Sequence, residues 1–187
     1  MAYNFSRRDF MKCAGVTVLA VAAGGLLTGC GGGGNNDGTT INGLNKTADI
    51  HGVKFTVTNL YQEDAKLSIG GVSGGYDNAE YVFPQIKIEN ASGTPVSFVR
   101  TNFVTKVDGK ELEAEAGSAG SYLKALAKGY IPLDVNGLAI QNNDVRNGVL
   151  CYTFPKTWKK LELTVYENAN RSGAKVTFVL NNPNPQK

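Results

Sequence analysis

The chain has 187 residues, 42% of them hydrophobic and 19% charged, with a formal net charge of +3. A chain of this length buries one core of ordinary size without covalent staples, and so mild a positive charge excludes a basic nucleic-acid surface. Three cysteines and a single histidine supply neither a disulfide framework nor an imidazole-based metal or catalytic centre.

The chain opens with Ser6-Arg7-Arg8-Asp9-Phe10-Met11-Lys12, followed by an apolar run from Ala14 to Leu27 and then Leu27-Thr28-Gly29-Cys30. The run is too short to span a bilayer, which takes about 20 apolar residues, and the order of charge, apolar stretch and small residues predicts a signal peptide over residues 1–29. Ser6, Arg7, Arg8, Phe10 and Lys12 resemble the twin-arginine export signal. Leu27, Thr28, Gly29 and Cys30 resemble a lipobox, in which cleavage leaves a diacylated cysteine as the first residue. Two acyl chains hold a protein stably on a membrane, so Cys30 is the expected membrane partner site. With Gly31 after it, where inner-membrane retention takes Asp, the expected location is the cell membrane, or the outer membrane of a two-membrane bacterium.

Removing residues 1–29 takes away three of 19 basic and one of 16 acidic side chains, so the net charge falls to +1. Cys13 leaves with the leader and Cys30 takes the lipid, which leaves Cys151 alone in the domain. Gly31 to Gly34 and the polar residues after them bury too little to offset chain entropy, and residues 30–48 read as a flexible tether. Residues 49–187 read as the folded domain.

In that domain Val53, Phe55 and Val57 alternate with polar residues, the period-2 signature of a half-buried strand. Further strands are predicted over 81–90, 96–107, 110–115, 148–154, 160–166 and 175–180, with Leu161, Leu163, Val165 and Val176, Phe178, Leu180 as apolar stripes. Asp108-Gly109 predicts a type I′ hairpin turn. Pro84 restricts its strand to an edge or a bulge. Gly70 to Gly75 lacks the lysine and following helix of a phosphate loop and reads as a mobile loop. Ser118 to Lys128, with Tyr122, Leu123 and Leu126 at helical spacing and Gly129 as a stop, predicts one short helix. The fold class is therefore all-β, an immunoglobulin-like antiparallel β-sandwich of about seven strands with one short helix.

Three segments carry a likeness to a family: residues 83–93, the Asp108-Gly109-Lys110 turn, and Gly148-Val149-Leu150-Cys151-Tyr152-Thr153-Phe154-Pro155. With the leader, they resemble a bacterial family of secreted and lipoprotein domains of unknown function, related to a small immunogenic antigen secreted by mycobacteria. The resemblance implies an immunoglobulin-like fold and carries no catalytic residue.

His51, just ahead of the first predicted strand, is expected to be an ordinary loop residue, and no metal is expected. Cys151 shares a face with Val149 and Thr153, opposite Leu150, Tyr152 and Phe154, and without a nearby base or cation it reads as structural. Glu111, Glu113 and Glu115 fall ~7 Å apart on one strand face and read as solvated. Asp134-Val135-Asn136-Gly137 and Asn142-Asn143-Asp144 offer only fragments of a calcium loop. Tyr76, Tyr81, Tyr122 and Trp158, with Tyr130, lie outside the clearest stripes. Gathered on one face, the first four would form a binding surface for a protein or a glycan, since Tyr and Trp dominate interface anchors.

Twin-arginine export of folded proteins raises the expectation of a cofactor, yet no motif holds one, and none is expected. The function expected is that of an extracytoplasmic lipoprotein, a non-catalytic binding module for a protein or glycan. The alternatives are an accessory subunit of an envelope complex, or an enzyme or cofactor carrier exported folded.

Overall fold

The computed structural model describes residues 38–69, 71–115, 119–133 and 138–184. The export signal at Arg7, Arg8, Phe10 and Lys12, the lipobox Leu27-Thr28-Gly29-Cys30 and the loop 134–137 lie outside the described residues.

Two sheets pack face to face as an antiparallel β-sandwich. The first runs β10 (Tyr152–Pro155), β4 (Val72–Asn90), β3 (Val53–Ile69), β2 (Thr47–Ile50), and β9 (Val145–Val149) pairs with the same edge of β4 as β10. The second runs β1 (Thr39–Asn42), β12 (Lys175–Asn181), β11 (Lys160–Tyr166), β6 (Phe103–Val107), β7 (Lys110–Leu112). A separate ribbon joins β5 (Val96–Phe98) to β8 (Leu138–Ile140), and the helix α1 (Gly120–Ala127) lies on β3 and β4. The named strands pair antiparallel except β1, which runs parallel to β12.

The alternating stripes face each other across the core. Phe55, Val57, Ile86 and Ile88 of the first sheet meet Leu161, Leu163, Val165, Val176 and Phe178 of the second, every one of them 1% exposed or less. Each such side chain contributes roughly 1.5–3 kcal/mol over an exposed one. Asp108 and Gly109 turn from β6 to β7 with φ of 49° and 85°, the two positive values that a type I′ turn requires. His51 and Gly52 make the same kind of turn between β2 and β3, at φ of 51° and 85°.

More strands appear than expected because β1, β2 and β8 lie outside the predicted runs and two predicted runs are broken. The run over 96–107 is interrupted by a 3-10 turn at Arg100–Asn102, which carries the chain from the β5–β8 ribbon into the second sheet. Asn102 holds that crossing by accepting from Val99 N and donating to the carbonyls of Tyr166 and Glu167. The run over 148–154 breaks into β9 and β10 at Leu150 and Cys151, opposite Pro84. Leu150 N donates to Pro84 O, but Pro84 has no N–H to return. Proline thus sits at a break in the ladder, with a β-bulge between Val57 and Asn59 on its other flank.

Three expectations are corrected. The tether assigned to residues 30–48 contains β1 and the first half of β2, and Ile41 is 1% exposed within the core. A four-residue strand flanked by polar residues has no periodicity to read, and its partner β12 lies at the far end of the chain. Gly71 to Gly75 form the tip of the long β3–β4 hairpin, where Ile69 pairs with Val72 and Lys66 with Gly75, so the described residues of the run read as a mobile loop are largely strand, Gly70 lying outside them. Gly75 is required there: at φ of 122° an added Cβ would meet Ala65 O at 1.8 Å, beside the bulge between Asp64 and Lys66. Finally, α1 buries Ser121 and Ala125, whereas Leu126 is 48% exposed. The helix seats its small side chains on an aromatic floor, with Tyr122 and Leu123 half-buried beside them.

Candidate functional site

Inward-facing leucines and valines force their neighbours outward, and on the second sheet those neighbours build a groove. With Leu161, Leu163 and Val165 in the core, Glu162, Thr164 and Tyr166 of β11 face solvent, and Lys175 and Thr177 of β12 do the same. Antiparallel register places Tyr166 beside Lys175 and Thr164 between Thr177 and Val104. Glu162 lies beside Lys106 of β6. The β11–β12 turn then brings Arg171 over to β7, where its Nη1 donates to Glu111 Oε1 at 2.9 Å and closes one wall. The result is an open, polar groove of about 290 Å³.

Its chemistry is mixed in sign and rich in hydroxyls. Thr164 and Thr177 share a hydrogen bond of 2.8 Å, Lys175 Nζ lies 5.9 Å from the centre of the Tyr166 ring, and Glu162 pairs with Lys160 at 2.6 Å. Lys106, Arg171 and Lys175 set three positive charges against the carboxylates of Glu111 and Glu162. These groups place an aromatic ring, hydroxyls and charges of both signs around one open concavity.

The aromatic surface expected of Tyr76, Tyr81, Tyr122 and Trp158 does not form. Tyr76 is 61% exposed on β4, but Tyr81 and Trp158 are 1% and 0% exposed. These two lie in different clusters, Trp158 in the main core between the sheets and Tyr81 on the outer side of the first sheet. Trp158 Nε1 donates to Glu80 Oε1, and Asn182 Nδ2 donates to Trp158 O. Tyr122 is half-buried on α1, and Tyr130 packs edge-on against Tyr61 and Phe83. A lone aromatic among polar residues gave no sign of which side of a strand or loop it would take.

The remaining singled-out residues are separate. Cys151 is 2% exposed in a cluster with Tyr81, Phe83, Ala125 and Val149. Burial, with the Glu115 carboxylate adding to it, pushes its thiol up to about 12, so it carries no thiolate at neutral pH. His51 is exposed and its Nδ1 lies 2.9 Å from Glu167 Oε1. Glu111 pairs with Arg171, Glu115 accepts from Thr153 at 3.0 Å, and β7 ends at Leu112, so Glu111, Glu113 and Glu115 do not share one strand face. Asn142 Oδ1 accepts from Gly93 N and Asp144 pairs with Arg146. Among the described residues no three His, Cys, Asp or Glu side chains group as metal ligands, and no helix is long and apolar enough to cross a membrane.

No protein-family model matches the sequence, and no curated protein matches it. Solved structures do. The yjhA protein of Bacillus subtilis aligns at a TM-score of 0.55 and 17% identity over 75% of this chain and 99% of that one. The ycdA protein of Bacillus subtilis, a candidate lipoprotein, aligns at 0.51 and 12% identity over 72% of this chain, which spans only 38% of ycdA. An uncharacterised β-sandwich protein of Clostridium difficile aligns at 0.45 with 8% identity over 80% of this chain and 98% of that one. At these identities the likeness is one of fold.

Proposed function

We propose that this chain is an exported lipoprotein, held on an extracytoplasmic membrane face through acylated Cys30, whose sandwich is a non-catalytic module that binds glycan in the groove of the second sheet. The groove itself carries the reading. Tyr166 offers a sugar ring a face, Thr164 and Thr177 offer it hydroxyls, and Glu111 and Lys175 on strands, with Arg171 on the β11–β12 turn, offer charged partners. The leader supplies the address: Arg7 and Arg8 for folded export, and Cys30 for the lipid. A candidate lipoprotein with a similar fold supports the anchored form.

Two measurements test it. In a bacterial host, an alkynyl palmitate should label the protein, and Cys30→Ser should abolish both label and membrane fractionation. On an array of envelope polysaccharides, the purified domain should retain at least one class, with Tyr166→Ala and Lys175→Ala each weakening binding at least tenfold and leaving the melting temperature in place. Binding unaffected by either substitution removes the groove from the reading. No retained glycan, alongside a protein crosslinked at position 175, would make the groove a protein interface and the chain an accessory subunit.

A further inference from the structure

The outer face of the first sheet carries a second structural unit. Tyr61, Tyr81 and Phe83 form an aromatic floor there, with Tyr130 packed edge-on, and α1 lies across it. The seating is thin: the buried side chains of α1 are Ser121 and Ala125. Two hydroxyls trapped under the helix, Tyr81 Oη and Ser121 Oγ, are fully buried with no hydrogen-bond partner among the described residues. An unpaired buried hydroxyl penalises the state that buries it and leaves open states untouched.

The fastenings of the helix lie at its rim. Its N-cap is Ala119, which makes no side-chain cap bond. Lys124 and Lys128 reach Glu63 of β3 at 2.9 and 3.5 Å, and Lys128 sits 5.4 Å over the Tyr61 ring. At the C-terminal end Gly129 takes φ of 75°, the turn that stops the helix, and Tyr130 N donates back to Ala125 O at 3.0 Å. The N-terminal end touches the floor through Gly120, where an added Cβ would lie 2.1 Å from Tyr81 Oη. The main core between the sheets contains no residue of α1.

We propose that α1 is a hinged cover, which lifts as a unit from the β3–β4 face and admits water to Tyr81, Ser121 and Cys151 while the sandwich beneath stays folded. Closed, it trades unpaired hydroxyls for rim ion pairs and two small buried contacts. Open, it exposes an aromatic floor and a thiol that the closed form keeps inert. Such local opening belongs to the low-stability end of a fold, where few apolar contacts hold an element down.

Cys151 reports the motion, because it is the one cysteine downstream of Cys30. The domain from Gly31 onward, without denaturant and at fixed pH, is treated with a maleimide, and Trp158 fluorescence follows unfolding of the sandwich in denaturant. Labelling should proceed at least tenfold faster than global unfolding allows. Tyr81→Phe and Ser121→Ala, which remove the unpaired hydroxyls, should each slow it about tenfold. Gly120→Ala, which props the helix against Tyr81, should speed it at least tenfold and leave the Trp158 transition in place. Labelling limited to the rate of global unfolding, or a Gly120→Ala variant whose Trp158 transition falls in step with its labelling, would overturn the proposal, since helix and sandwich would then be one unit.

Discussion

Thr105 of β6 and Tyr152 of β10 meet across the sandwich, where Thr105 Oγ1 donates to Tyr152 Oη at 2.5 Å with both residues fully buried. It is a polar link inside the apolar core between the two sheets, and burial pushes the Tyr152 phenol well above its ordinary range. Thr105→Val should cost about 1–3 kcal/mol because it strands a buried hydroxyl, and Tyr152→Phe a similar amount. The double variant should recover most of the loss. Denaturant unfolding of the four proteins gives the coupling, and simple additivity would mean that the bond contributes nothing.

Trp158 and Tyr76 should respond in opposite ways. Trp158→Ala empties a fully buried site and should cost about 3–5 kcal/mol, whereas Tyr76→Ala, at a position 61% exposed, should shift stability by less than about 0.5 kcal/mol. Thermal melts of both variants decide the matter. A benign Trp158→Ala would restore the aromatic surface that the sequence alone suggested.

The start of the domain is open to the same kind of measurement. Ile41 is packed in the core from β1, so Ile41→Ala should destabilise by about 2–5 kcal/mol. A chain beginning at Gly38 should unfold at the same denaturant midpoint as one beginning at Cys30, while one beginning at Gly43 should unfold much earlier. Equal midpoints for all three would return residues 39–42 to the tether.

Acid should loosen α1. Burial acts to raise the Glu63 carboxyl, but Lys124 and Lys128 overcome it and hold it below its ordinary value of 4.5. A carboxyl depressed in the folded state adds stability that is complete above the ordinary value and lost as pH falls through the depressed one. Amide exchange in α1, corrected for its intrinsic pH dependence, should therefore accelerate below pH 4.5. Glu63→Gln should remove that dependence, and an unchanged profile would show that the ion pairs do not hold the helix.

Gly75→Ala should shorten or unravel the β3–β4 ribbon. Its φ of 122° and the 1.8 Å approach to Ala65 O leave no place for a methyl group, and strain of this kind costs about 1–3 kcal/mol. Loss of exchange protection confined to residues 66–75, with the sandwich intact, is the expected pattern.

Strands with strict alternation were legible because their pattern and their environment agree. Val53, Phe55, Val57 and the stripes of β11 and β12 lie where period 2 puts them, and so do the two faces of Leu150-Tyr152-Phe154 and Val149-Cys151. What escaped depended on distant partners. Ile41 is a lone apolar residue until β12 lies beside it, and the glycines of the β3–β4 tip look like a loop until Lys66 to Ile69 pair with them. The groove was half legible: the outward row Glu162, Thr164, Tyr166 follows from the inward leucines, but register alone brings Lys175 and Thr177 beside it and Arg171 across to Glu111.

The parallel pairing of β1 with β12 also sets a mechanical path. Eight residues separate Cys30 from Thr39, a span of at most ~30 Å of extended chain. Under the proposed lipid anchor at Cys30, tension from a ligand held in the groove would pass from β11 to β12 to β1 within one sheet. The four rungs from Thr39–Val176 to Asn42–Val179 would then be loaded in shear along the strands and give way together, not one at a time, so the shortest strand at that edge becomes the clamp that transmits force to the anchor.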